Sequence, residues 1–246
     1  WGLRNPFRAS VYFGPGGTGF GTAILLGDVG EDTVEEIDYV LAEGETGVNF
    51  GWSIREGTRA FKGPDNPAFR APVAEYLHGA GPRSGDTVIG GLVYTGPIEA
   101  LQGEYFFADF IQPNVWSIPI ARLLQSPPAT VPAAGFTLRN ADLAPEAGAF
   151  TNVVAFGEDQ SRNLYIVDMD GEIFVVEPAP SPQPAPPVRQ ARGQRAVAPL
   201  RHFCIEEWDG HTVRWRDGEM ILGGEGIACV RKYYEALARA RNAGVD

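Results

Sequence analysis

Cysteine is almost missing from this sequence. Its 246 residues hold two, Cys204 and Cys229, both near the C-terminal end, and no Cys-x-x-Cys pair or Cys/His cluster of zinc-site spacing occurs. The two thiols pair in an oxidising compartment or stay as buried free thiols. Histidine is nearly as scarce, with three residues, of which His78 alone precedes residue 200. No apolar run approaches the roughly 20 residues of a membrane span. Positive charge is also short: residues 1–187 carry ten Lys and Arg against 23 Asp and Glu, and residues 188–246 carry ten against eight. An acidic body excludes nucleic-acid binding driven by phosphate neutralisation. It is compatible with calcium or a neutral substrate such as a sugar, and the plainer reading is that it keeps an exported protein soluble. The chain begins at Trp1 without an initiator Met or a signal peptide. It therefore reads as a fragment or mature product whose beginning lies elsewhere, from a periplasmic or extracellular protein.

What the sequence has in quantity is turn formers and aromatics: 31 Gly, 20 Pro and 14 Phe. That mixture predicts short strands and many turns rather than long helices. One pattern recurs, a turn residue, an apolar run, a small or apolar residue and then Asp. It reads 22-TAILLGD-28, 103-GEYFFAD-109 and 163-NLYIVD-168. Each copy lies between further strand candidates, 9–13 and 36–41, then 91–94 and 114–118, then 152–156 and 171–176. An outer strand is expected over 48–54, and an Asp170-Gly171 hairpin turn before the last of these strands. The fold class expected is all-β, about three blades of a propeller over residues 1–177. Three blades cannot remove their own sheet edges, so the ring is incomplete or belongs to a longer chain. Residues 178–199 form a Pro-rich linker. Residues 200–246 form a small α+β tail, with strand candidates over 201–208 and 212–221 and a helix over 227–243.

Several motifs then fall in a fixed order. Gly2-Leu3-Arg4-Asn5-Pro6-Phe7 opens the chain. Gly27-Asp28-Val29-Gly30 and Glu35-Glu36-Ile37-Asp38 follow, then Asn49-Phe50-Gly51-Trp52 and Arg55-Glu56-Gly57. Gly90-Gly91-Leu92-Val93-Tyr94-Thr95-Gly96 and Leu101-Gln102-Gly103 come before Tyr105-Phe106-Phe107-Ala108-Asp109. Together they resemble the soluble glucose/sorbosone dehydrogenase family, six-bladed propellers that bind pyrroloquinoline quinone, in their C-terminal half. The resemblance implies a quinoprotein oxidoreductase that takes hydride from C1 of an aldose and forms the lactone, with a sugar substrate and an external electron acceptor as partners. It implies that Arg4 and Asn5 contact the cofactor, Arg offering a planar donor fork for carboxylate or quinone oxygens. The residues alone admit another reading, a turn in which Arg4 pairs with a loop carboxylate. The resemblance also implies Ca²⁺ held by Glu36 and the carbonyls of Gly30 and Phe50, and calcium takes about six to eight oxygen ligands. A solvated acidic strand edge is the other reading of Glu35 and Glu36.

Asp28, Asp109 and Asp168, each closing a repeat, are expected to accept backbone N–H bonds, and Trp52 and Trp116 to fill space between blades. The sequence departs from the family pattern at Thr95, where Arg is usual, and at Gln112-Pro113-Asn114, which lacks a cation. The family's general base, a His on an earlier blade, has no counterpart, so the chain alone is not expected to turn over. The alternative function is a non-catalytic propeller module that binds a protein or a glycan.

Overall fold

The computed structural model describes residues 1–14 and 21–178, together with the backbone of four later strands. In chain order the strands are β1 (Pro6–Phe13), β2 (Thr22–Asp28), β3 (Val34–Leu41), β4 (Arg55–Glu56), β5 (Arg59–Ala60), β6 (Ala74–His78) and β7 (Ser84–Gly85). Next come β8 (Val88–Val93), β9 (Glu104–Asp109), β10 (Val115–Pro119), the single-turn helix α1 (Ile120–Leu123), β11 (Val131–Pro132) and β12 (Thr137–Leu138). The third group is β13 (Val153–Glu158), β14 (Leu164–Asp168) and β15 (Ile173–Val175). The backbone strands β16 (Arg201–Phe203), β17 (Ile205–Trp208), β18 (Thr212–Trp215) and β19 (Gly218–Ile221) follow.

These strands form three main sheets, none of them closed. The first runs β1-β2-β3-β6-β11, with β7 also pairing β6; the second runs β12-β10-β9-β8; the third runs β13-β14-β15-β16. Within each, the three strands flanking a repeat pair antiparallel in sequence order. The first strands of the sheets, β1, β8 and β13, lie against one another, β8 between the other two. The chain is thus nearly all β among the described residues, as its Gly, Pro and aromatic content predicts.

The second sheet is covered on both faces. Tyr105, Phe107, Trp116 and Ile118 point into a core shared with Leu25, Ile37 and Tyr76 of the first sheet. Phe106, Ala108 and Val115 point the other way, against Val153, Leu164, Ile166 and Phe174 of the third. A strand buried on both faces needs apolar residues at consecutive positions, and this is why β9 reads Tyr-Phe-Phe-Ala without alternation. Trp116 fills the first interface: it is fully buried, tilted against Tyr76 with ring centroids 5.0 Å apart, and donates its indole N–H to the Pro82 carbonyl. The expectation for that tryptophan holds.

Glycine sets how closely the first strands approach. A Cβ on Gly90 would lie 2.5 Å from the Arg8 carbonyl oxygen and 2.7 Å from the Gly27 nitrogen, both main-chain atoms. Gly90 is therefore a packing requirement where β8 meets β1 and β2, and Gly91 where β8 meets β9, since its Cβ would lie 1.9 Å from the Phe106 carbonyl oxygen.

Two expectations need correction. Residues 48–54 form no strand. Gly47 and Gly51 hold positive φ of 71° and 101°, and Asn49 Oδ1 accepts the Gly51 N–H, which turns the chain instead. The outer partner of β3 is β6, residues 74–78. Trp52 lies half-buried in that looped segment, stacked on Phe61 at 5.5 Å, not between sheets. The linker residues 179–199, the helix expected over 227–243 and the pairing of Cys204 with Cys229 lie outside the described residues.

Candidate functional site

The Gly2–Pro6 turn leads into β1, and Asp28, at the end of β2, fixes it from behind. The Asp28 carboxylate accepts the backbone N–H of Arg4 at 2.8 Å and of Asn5 at 2.6 Å. The Asn5 carbonyl in turn accepts the Val29 N–H at 3.1 Å. Gly2 is required here. Its φ is +68°, and a Cβ would lie 2.1 Å from Asn49 Oδ1 and 2.5 Å from the Gly51 nitrogen. Asp28 thus holds the main chain of the turn while Arg4 and Asn5 stay exposed.

The Arg4 guanidinium lies against the β2–β3 connection and Trp52. Nη1 donates to the Val29 carbonyl at 3.0 Å, Nε sits 3.7 Å from Glu31, and the group rides 5.5 Å above the Trp52 ring. Glu31 also pairs with Lys62, which covers Trp52 and Phe61. The ion pair from Arg4 to Glu31 is long and both side chains are about a third exposed, so it contributes little, and a ligand carboxylate can replace it.

The paired strands β2 and β3 hold three carboxylates. Asp28 pairs with Glu36 across the ladder and Leu26 with Asp38, so the period of two puts Glu36, Asp38 and Asp28 on one face. One oxygen from each lies within 4.8 Å of the others, and all three residues are buried. Asp38 is 0% exposed and neither of its carboxylate oxygens has a hydrogen-bond partner. Burial pushes the Asp38 carboxyl well above the usual range; Asp28 adds to this, and Arg70 offsets it only in part because its guanidinium forks onto Glu45. Burial does the same to Glu36, reinforced by Asp38, Asp28 and Glu75, against one backbone N–H from Gly57. Burial raises Asp28 too, beyond what its two N–H bonds counter. Three carboxylates buried on one face, one of them without any donor, are what a bound cation would compensate.

Of the expected calcium ligands, Glu36 lies in this group. Gly30 sits where a Cβ would meet the Val34 carbonyl oxygen at 1.9 Å and Glu56 Oε1 at 3.0 Å. Phe50 is buried and its N–H bonds the Trp1 carbonyl. Sequence reading missed Asp28 and Asp38 as members of the group. The signal was present: Asp38 is Glu36 plus two on a strand, and a same-face acid at an apolar position marks it.

Glu35, on the opposite face, does separate work. It binds His78 Nε2 at 2.7 Å and accepts the Val88 N–H at 2.8 Å, joining the first sheet to the second. That contact pushes the His78 imidazole up, against a smaller lowering by burial. Glu56 accepts the N–H of Glu31, Asp32 and Thr33 at 2.5, 2.8 and 3.4 Å and shapes the β2–β3 turn. Burial would raise its carboxyl, but these N–H groups outweigh that and lower it. Arg55 forks onto Asp65 at 2.9 and 2.7 Å. Asn114, where a cation is usual in the resembled family, gives its amide to the Gly81 and Ser84 carbonyls.

No known family's sequence profile matches the chain. Among curated proteins it is similar to the HIPL1 protein of Arabidopsis thaliana, 27% identical over 197 residues, covering 72% of this chain and 27% of that protein. It is also similar to the HIPL2 protein of the same plant, 26% identical over 211 residues, with the same two coverages. The chain thus spans about a quarter of the length of these relatives. Among solved structures it is similar to the PQQ-bound aldose sugar dehydrogenase of Streptomyces coelicolor. There the identity is 18%, the TM-score 0.42, and the match covers 69% of this chain and 38% of that one. None of the described helices is long and apolar enough to cross a membrane.

Proposed function

We propose that the chain is part of an exported quinoprotein oxidoreductase, periplasmic or extracellular, that oxidises an aldose at C1 to the lactone with pyrroloquinoline quinone and depends on Ca²⁺. The observation that supports this is the Gly2–Phe7 turn. Its main chain is pinned by Asp28 while Arg4 and Asn5 remain exposed, the arrangement of a site that presents fixed donors to a ligand. Bound there, the quinone would accept the hydride from the sugar. Arg4 would exchange its long contact with Glu31 for a cofactor oxygen, and Asn5 would add a neutral donor. The C1 hydroxyl also needs a base. The resembled family's base, a His on an earlier blade, has no counterpart in this chain. The base therefore comes from another part of the protein, and an external acceptor reoxidises the cofactor.

A second reading, a propeller module that binds a protein or glycan without catalysis, is favoured by two positions. Exposed Thr95 and carbonyl-bound Asn114 stand where cations would help to hold a tricarboxylate. The deciding assay adds pyrroloquinoline quinone and Ca²⁺ to the full-length protein and follows dye reduction with a panel of aldoses. Reduction that needs both additions and falls in Arg4→Ala is expected. Folded protein that reduces no dye with any aldose would remove the enzyme and leave the binding module.

A further inference from the structure

Asp28, Asp109 and Asp168 occupy the same place in the three sheets, and comparing them isolates what is peculiar to the first. Each gathers N–H groups from the residues that enter its sheet's first strand. Asp109 accepts the Thr87 N–H at 2.7 Å, Asp168 accepts those of Thr151 and Asn152, and Asp28 accepts those of Arg4 and Asn5. Asp109 and Asp168 also receive a hydroxyl, from Tyr76 at 2.8 Å and from Thr151 Oγ1 at 2.7 Å. Asp28 receives no hydroxyl among the described residues. Glu36 and Asp38 face it instead, and both Asp38 oxygens are buried without a partner.

We propose that one Ca²⁺ binds between Asp28, Glu36 and Asp38 and, through Asp28, fixes the turn that carries Arg4 and Asn5. The donors are all carboxylate oxygens, a hard set that suits calcium and gives a soft metal no nitrogen or sulfur. Calcium–oxygen distances of about 2.3–2.6 Å put oxygens on opposite sides of the ion up to about 5 Å apart. The three oxygens within 4.8 Å of one another fit that span. Neither Asp38 oxygen has a hydrogen-bond partner in the protein, which leaves both free to face a cation. Glu36 is the least buried of the three, at 8%, and marks the side of entry. The coupling follows from Asp28 alone: the carboxylate that would face the ion also holds the main chain of both exposed donors. Where the other two sheets fix their entering turns with a hydroxyl of the chain, the first would use an ion, which can be removed.

The inference takes its ion from the proposed function, and the test separates the two. The full-length protein, stripped with chelator, is followed by hydrogen–deuterium exchange with and without Ca²⁺. Calcium is expected to slow exchange in the peptide spanning residues 1–8 and to leave the peptides entering β8 and β13 unchanged. Asp38→Asn, and independently Glu36→Gln, should weaken calcium binding about tenfold or more and abolish that protection, with circular dichroism showing an intact fold. Calcium binding that Asp38→Asn leaves intact overturns the site. Binding lost in the variant but never felt by residues 1–8 overturns the coupling. Equal protection by Mg²⁺ overturns the identity of the ion. Protection without any aldose oxidation sinks the enzyme reading and supports the coupling on its own.

Discussion

At the scale of residues, polar groups buried in this chain have fixed duties, and the Asp109 group shows one. Its carboxylate takes the Tyr76 hydroxyl and the N–H of Thr87, Ile111 and Gln112. Tyr76→Phe deletes one donor to a buried charge, which costs about 1–3 kcal/mol. Urea unfolding of the variant should show that loss with an unchanged slope; no loss would mean that Asp109 is satisfied without Tyr76. His78 gives a pH dependence. Its folded value is raised by the Glu35 contact, with Asp86 and Glu56 also facing it. A raised folded value means the stabilisation is fully present below the unfolded pKa of about 6.5 and is lost as pH climbs through the folded value. Subtracting the His78→Gln curve from that of the parent should leave a contribution that declines above about pH 6.5; a flat difference would contradict it.

At the scale of elements, the repeat Asp and the apolar run of β9 were legible in sequence, while the packing roles of the Gly-Gly pair and of the run's two faces came from the structure; each answers a local demand. A strand end needs an acceptor, a close crossing needs no Cβ, and a strand with sheets on both faces needs no polar side. Gly90→Ala places a methyl group 2.5 Å from a carbonyl oxygen and should cost about 1–3 kcal/mol of stability. A melting temperature equal to that of the parent would show that the two strands can separate. What was not legible depended on pairing. The segment 48–54 has strand-like apolar residues, yet Gly47 and Gly51 and the Asn49 side chain turn it, and β6 takes the place beside β3. Glu36 was expected as a ligand by resemblance, but that Asp28 faces it needed the β2–β3 register to be known. Asp38 could be placed beside Glu36 by the strand period, but that both of its oxygens are buried without partners is seen only in the structure.

At the scale of the whole molecule, three open sheets share two cores, and among the described residues the first sheet alone carries both the exposed Arg4–Asn5 turn and the acidic group behind it. A ligand that binds only the folded state stabilises by mass action, about 2.7 kcal/mol at a hundredfold excess over its dissociation constant. Calcium should therefore raise the melting temperature of the full-length protein, and chelator should reverse it. The most direct measurement is a calorimetric titration of the chelator-stripped full-length protein with Ca²⁺, beside the same titration of Asp38→Asn. The account predicts a saturable site in the parent that is weakened about tenfold or more in the variant. Equal isotherms for the two, or no heat in either, would contradict it.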